Sequence, residues 1–292
     1  PKAMTRLEDS VRSYVREDIA RFRDKGACEV MSDFAFGFPI KVFLQMMGLP
    51  LELTAQFLAW EMGLVHSRDV AGERRKAPEE VTRERGETEA RSRQPGDDLI
   101  SYAVQVEVEG RRLSKDELLG FIFNLFLGGL DTVSTNVGLH FRHLAGHPAD
   151  QAWLRANPDQ IPSAIDELMR AYGAVTTYRT CTREITFKGV RMLPGDKVAM
   201  STTLAGRDPQ EYEQVNEVIL TRKPRHLSFG YGPHLCVGMQ LARREMRIAM
   251  EEFLALIPEF SITPGHVVRS HLGMIQPEAL PLVWQTEGRA HA

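Results

Sequence analysis

Between Phe229 and Gly238 the chain places two glycines and a proline ahead of a single cysteine, Cys236, with a third glycine just after it (FGYGPHLCVG). Glycine at this density lets the backbone take positive φ and approach something closely. The next segment, Met239 to Ile257, has the spacing of an amphipathic helix with Arg243, Arg244 and Arg247 to one side. The cysteine therefore ends a tight loop and begins a helix, where free N–H groups and the helix dipole favour a thiolate. A lone, preorganised thiolate suits a soft metal ligand or a nucleophile. The plainer alternative is a buried cysteine in a glycine-rich turn.

The rest of the chain reads as mainly helical with small β-sheets, and its 292 residues could bury one large core or two modest ones. Apolar residues at three- and four-residue spacing predict a helix over residues 4–25 (Leu7, Val11, Val15, Ile19, Phe22). A second covers 31–49, with Pro39 inside and a stop at Gly48-Leu49-Pro50, and a third about 52–66. Residues 68–96 are rich in Arg and Glu and poor in large apolar side chains, which predicts a solvated helical pair or loop. A short helix at Leu99–Gln105 and a hairpin around Glu109-Gly110 come next. Ser114 and Glu117 have capping-box spacing, opening one long helix from Lys115 to about Gly146. Helices at about 149–157 and 161–172 precede strands at Thr176–Thr182, Ile185–Val190 and Lys197–Thr203. Short strands are expected again over 260–284.

Within the long helix, Gly128-Gly129-Leu130-Asp131-Thr132 asks for an explanation, because a glycine in a helix interior costs about 1 kcal/mol relative to alanine. Either another helix crosses there, or a flat ligand approaches the backbone. Glu167 and Arg170 lie three apart on one helix face.

Composition narrows the function classes. The 292 residues are 43% hydrophobic and 26% charged, as in a soluble globular protein, and the formal net charge of −3 argues against nucleic acid or a polybasic membrane role. The three cysteines, Cys28, Cys181 and Cys236, are far apart and show no metal-site or disulfide spacing. No signal peptide opens the sequence, and Leu118–Leu130 is too short to span a bilayer, so a cytoplasmic location is expected.

The cysteine loop resembles the heme-binding loop of the cytochrome P450 family of heme-thiolate monooxygenases, F-G-x-G-x-[HR]-x-C-x-G, with every fixed position filled. The resemblance implies the P450 fold in a single domain over residues 1–292, heme b, and Cys236 as the iron ligand. It implies cofactor contacts from Phe229, Gly230, Gly238, Gly128 and Gly129, and propionate contacts from His234 and Arg179. Asp131 and Thr132 match the family's acid–alcohol pair, with Thr132 contacting the oxygen reduced at iron and Asp131 feeding it protons. Glu167 and Arg170 match its buried E-x-x-R, completed by Arg222 or, alternatively, Arg225, in a structural role.

The match extends over nearly the whole chain and is nearest to the camphor-hydroxylating bacterial branch, through GGLDTV at 128–133 and LARRE at 241–245. Carried over, the substrate pocket comprises Asn124, Leu127, Gly128, Thr132, Val175, Thr177, Met274 and Ile275. Asn124 is the polar departure, receiving either a substrate oxygen or a neighbouring backbone group. The resemblance further implies a small hydrophobic, terpenoid-like substrate, O2, and electrons from NAD(P)H through a reductase and a ferredoxin. Arg243 is the first candidate for a ferredoxin contact, against the plainer reading of a solvated helix face. It also implies that bacterial members carry on the order of a hundred further residues before the point matching Pro1. The alternatives are a peroxygenase of the same fold and a non-catalytic or remnant heme-binding protein.

Overall fold

The computed structural model describes residues 2–63, 90–270 and 275–286. The charged stretch at 68–96 lies mostly outside the described residues, as does Met274. In chain order the helices are α1 (Lys2–Ala20), α2 (Gly37–Met47), α3 (Thr54–Glu61), α4 (Leu99–Gln105), α5 (Lys115–Gly129), α6 (Asp131–Gly146), α7 (Pro148–Ala156), α8 (Ile161–Ala171), the single turn α9 (Thr202–Ala205) and α10 (Met239–Leu256). The strands are β1 (Ala27–Glu29), β2 (Glu107–Val108), β3 (Arg111–Arg112), β4 (Thr176–Thr180), β5 (Ile185–Phe187), β6 (Val190–Met192), β7 (Lys197–Ser201), β8 (Phe260–Ile262) and β9 (Pro281–Trp284).

The periodic residues of α1 do what their spacing predicts: Val11, Val15 and Ile19 are fully buried, and Phe22 just beyond joins them. On its flank, Arg12 and Arg16 pair with Glu252, and Arg12 also with Glu251, tying α1 to α10. This seam, with α6, α8 and the antiparallel sheet β1-β9-β8, encloses the larger core, where Phe22, Phe34, Phe141, Phe253 and Phe260 pack ring against ring. A second core joins α2, α3, α4 and α5 through Phe43, Phe57, Ile100, Ile122 and Phe126. Gly48 ends α2 with φ +68°, a left-handed cap that favours glycine. Pro39 falls in the first turn of α2, where a missing N–H is harmless.

Several boundaries differ from the sequence expectation. Residues 31–49 form a π-helical turn, Met31–Ala35, before α2. The expected strand Ile185–Val190 is two strands turning at Lys188-Gly189, both with positive φ. The strand expected to reach Thr203 stops at Ser201, whose side chain caps α9. Strand β1 carries no pattern of its own; it exists because β9 pairs with it.

The expected single helix from Lys115 to Gly146 is also two. Ser114 and Glu117 form the capping box that opens α5, which ends at Gly129; Leu130 interrupts the helix and α6 starts at Asp131. Lys115–Gly146 spans 32 residues and is long and apolar enough to cross a membrane, with an 18-residue stretch at a mean hydropathy of 1.4. Here those apolar residues serve the core: Leu118, Ile122 and Phe126 face the second cluster, and Val133, Val137, Phe141 and Leu144 the first.

Almost all of α6 is buried, including His140, whose ring Nε2 has no hydrogen-bond partner among the described residues. Burial, reinforced by His143 and His226, pushes its pKa down to about 3 from an ordinary 6.5. A depressed pKa means that stability is complete above about pH 6.5 and is lost as pH falls toward 3. His140→Gln should therefore flatten the acid limb of a urea-midpoint series by one proton, about 1.4 kcal/mol per pH unit. An acid limb of unchanged slope would contradict the buried neutral imidazole.

Candidate functional site

The glycines of the cysteine loop are there for conformation. Gly230 and Gly232 have φ of +74° and +72°, so the chain can fold back and let the Cys236 N–H donate to the Phe229 carbonyl at 2.9 Å. A 3-10 turn, Gly232–His234, precedes the exposed Cys236, and α10 begins three residues later with Gly238 at its N-cap.

Behind the loop is a brace that no local pattern announces. The Ser228 N–H donates to His226 Nδ1, which leaves His226 Nε2–H to donate to Asp166 at 3.2 Å. Arg243 Nε donates to the same carboxylate oxygen at 2.9 Å and lies over the Phe229 ring at 4.9 Å. Burial alone would raise the Asp166 carboxyl; the hydrogen bonds from His226 and Arg243 outweigh it and hold its pKa below the usual range. Arg244 and Arg247 both pair with Glu8. The three arginines expected as a free basic face are thus engaged in bonds across helices.

The Glu167–Arg170 pair lies further under the loop. Both side chains are fully buried and joined by two 2.8 Å bonds. Arg170 also donates to the carbonyls of Gly206, Val215 and Glu217, and there is no room for a side chain at Gly206 against the Arg170 carbonyl. Arg222, not Arg225, reaches Glu167, at 3.1 Å, while the Ile219 N–H donates to the same oxygen. Among the described residues Arg225 contributes its carbonyl, which accepts from the Tyr212 hydroxyl. One carboxylate and one guanidinium thereby fix the irregular chain from 206 to 222 that leads into the cysteine loop.

Loop, helices and sheet enclose a cavity of about 490 Å³. One wall is the α5/α6 junction with Gly128, Gly129, Thr132, Val133 and Asn136; another is the loop with Phe229, Gly230, His234, Cys236 and Gly238, continued by Leu241, Ala242, Glu245 and Met246 of α10. The two-residue period of a strand brings Val175, Thr177 and Arg179 to the third side, next to Met200 of β7. A Cβ on Gly128 would meet nothing within 4 Å, whereas one on Gly129 would touch Phe43. Gly128 thus leaves space on the cavity side, and Gly129 accommodates packing.

The Thr132 hydroxyl donates to the Gly128 carbonyl at 2.9 Å. Asp131 is buried behind this wall, outside the lining, and its Oδ1 accepts from Gln276 Nε2 at 3.0 Å. Asn136, one turn beyond Thr132, is 5% exposed and donates to the Thr132 carbonyl. Glu245 is 3% exposed, and burial pushes its pKa up to about 8.

The residues present fit a heme. The walls are largely apolar, Gly128 presents no side chain, and a thiol stands on a separate wall. The two basic groups of the lining, Arg179 and His234, are both exposed, as groups meeting a carboxylate at the open side would be.

Other expected pocket residues stand apart from the described lining. Asn124 lies one helical turn before Gly128, and its amide donates to the Gly120 carbonyl of its own helix, so the departure is satisfied by the backbone. Leu127 is 37% exposed, and Ile275 is tied to Ala174 through its backbone N–H. Sequence reasoning missed Asn136, Glu245, Gln276 and the His226–Asp166 brace. The four-residue step from Thr132 signals Asn136; nothing local signals Gln276, 145 residues from its partner.

A family model for cytochrome P450 matches residues 18–272. The probable cytochrome P450 127A1 of Sinorhizobium fredii is 38% identical over 255 residues, which is 87% of this chain and 61% of that protein. The crystal structure of cytochrome P450 CYP101C1 superposes with a TM-score of 0.88 at 36% identity, covering 98% of this chain and 73% of that one. The Bacillus megaterium CYP109E1 in complex with testosterone gives 0.89 at 25% identity, covering 98% and 81%. The chain thus spans about three fifths of the Sinorhizobium relative and roughly three quarters of the solved neighbours. On the cysteine loop, the shared fold and a family match running through most of its length, this chain belongs to the cytochrome P450 family.

Proposed function

We propose that this chain carries the active site of a cytoplasmic heme-thiolate monooxygenase that inserts one atom of O2 into a C–H bond of a small hydrophobic substrate. Heme b, held by Cys236 with Arg179 and His234 at its carboxylates, supplies O2 activation when bound. Electrons come from NAD(P)H through a reductase and a ferredoxin. The observation that carries this reading is that Cys236 and Thr132 line one cavity from separate walls.

The side chains divide the remaining work. Thr132 Oγ1 gives its own hydrogen to the Gly128 carbonyl, which leaves its lone pairs free to accept a hydrogen bond at the cavity wall. A proton carried by Asp131 can be relayed there while Gln276 holds the carboxylate in place. The apolar lining from Val133, Val175 and Met200 excludes water and favours a compact hydrocarbon-like substrate. Testosterone bound to CYP109E1, a relative by fold, is consistent with a hydrophobic substrate of this kind.

Turnover with a surrogate ferredoxin and reductase tests the proposal, product and electron consumption being measured together. Thr132→Ala should leave heme and substrate binding intact but divert most of the electrons to hydrogen peroxide, by roughly the 10²-fold or more that a positioned acid–base group contributes. Product formation as tightly coupled as in the parent would contradict proton delivery through Thr132.

A further inference from the structure

Glu61, the last residue of α3, is 2% exposed, and neither of its carboxyl oxygens has a hydrogen-bond partner among the described residues. A glutamate at the end of a short helix ordinarily faces water. Here the packing of α3 prevents it. Phe57, one turn earlier, meets the Phe126 ring of α5 at 5.6 Å, and Trp60 meets it at 6.5 Å. One turn beyond Phe126, past the end of α5, come Leu130, 1% exposed, and Asp131, the first residue of α6. Glu61 ends the helix that makes these contacts, near enough to the buried Asp131 for that carboxylate's charge to act on it. Burial pushes the Glu61 pKa up to about 9, and the negative charge of Asp131 adds to the shift. At neutral pH this group is a carboxylic acid.

A desolvated carboxyl without a partner is expensive to keep, and an apolar residue of similar size would fill the position at less cost. We infer that Glu61 is the acid partner of Asp131, a buried carboxylic acid that holds the proton Asp131 draws on when it supplies the Thr132 hydroxyl. In the transfer the Glu61 O–H bond breaks and an O–H bond forms on Asp131. The negative charge passes from Asp131 to Glu61, and no electrons are exchanged. Glu61 is recharged from solvent, which reaches its neighbour Met62, 42% exposed. Because Glu61 touches neither cofactor nor substrate, it is a positioning residue acting through Asp131. Its purpose rests on the monooxygenase reading; its protonation and its coupling to Asp131 do not.

Infrared difference spectroscopy on the heme-loaded chain at neutral pH tests the acid pair without turnover. Glu61→Gln should remove one protonated-carboxyl stretch, and Glu245→Gln identifies the other buried acid. Asp131→Asn, which removes the neighbouring charge, should shift the Glu61 band. Retention of all such bands in Glu61→Gln, or an unmoved band in Asp131→Asn, overturns the inference. If Glu61→Gln does not fold, Glu61→Asp must move the band and Asp131→Asn must still shift it. With a surrogate redox system, Glu61→Gln should lower product per electron severalfold with an unchanged substrate-induced spectrum, and Glu61→Asp should recover part of it. Parental coupling in Glu61→Gln also overturns the role. A parent chain that binds heme but makes no product would instead count against the monooxygenase reading, while the infrared bands still decide the acid pair.

Discussion

Cys236→Ala abolishes the strongly red-shifted Soret band that the dithionite-reduced, carbon monoxide-bound protein should display. The expected change is complete loss rather than a partial decrease. Cys236 is the cysteine on the cavity wall; Cys28 is a buried residue of β1, with its thiol pKa raised by burial, and Cys181 sits in the chain after β4, donating to the Arg183 carbonyl. Neither can take its place. The loop itself should survive, since Gly230, Gly232 and the Phe229 carbonyl that set its shape are untouched. Far-ultraviolet circular dichroism should therefore match the parent. A red-shifted band persisting in Cys236→Ala would remove the basis for thiolate ligation and with it the proposed chemistry.

Arg170→Ala should have the largest effect on stability, about 3–5 kcal/mol, because it leaves a buried Glu167 carboxylate short of its main partner. The loss extends beyond the pair. Three backbone carbonyls, of Gly206, Val215 and Glu217, lose their donor at once, and all lie on the irregular segment leading into the cysteine loop. Against a typical stability of about 5–15 kcal/mol this is a large fraction. The urea midpoint should fall, and heme retention should fall with it even though Arg170 lies outside the cavity lining. Arg222→Ala removes one bond to the same carboxylate at the edge of the network and should cost less. Equal midpoints for parent and Arg170→Ala would show that the network does not support the loop.

Much of the architecture was legible because it follows from local repetition. The apolar stripe of α1, the capping box of α5, the glycine stop of α2 and the helix start after Gly238 each depend on residues within a turn or two of one another. The cysteine loop was legible for a stronger reason: positive φ at Gly230 and Gly232 leaves few residue types able to stand there. Elements held by distant partners were not. Strand β1 depends on β9, more than 250 residues later, and the break at Leu130 divides what reads as one apolar helix.

By itself, then, the sequence determined the helical frame, the glycine-shaped loop carrying Cys236, the adjacency of Asp131 and Thr132, and the i,i+3 pairing of Glu167 with Arg170. Each is a short-range relation that backbone geometry enforces wherever the segment goes. Only the tertiary structure decided that Arg222 completes the buried pair and that Asn124 turns back on its own helix while Asn136 faces the cavity. It also decided that the arginines of α10 are spent on Asp166 and Glu8, that Gln276 reaches Asp131, and that Glu61 is buried with no hydrogen-bond partner among the described residues. Those outcomes depend on which surfaces meet and on what burial does to a charge, and neither is encoded within a single turn of chain.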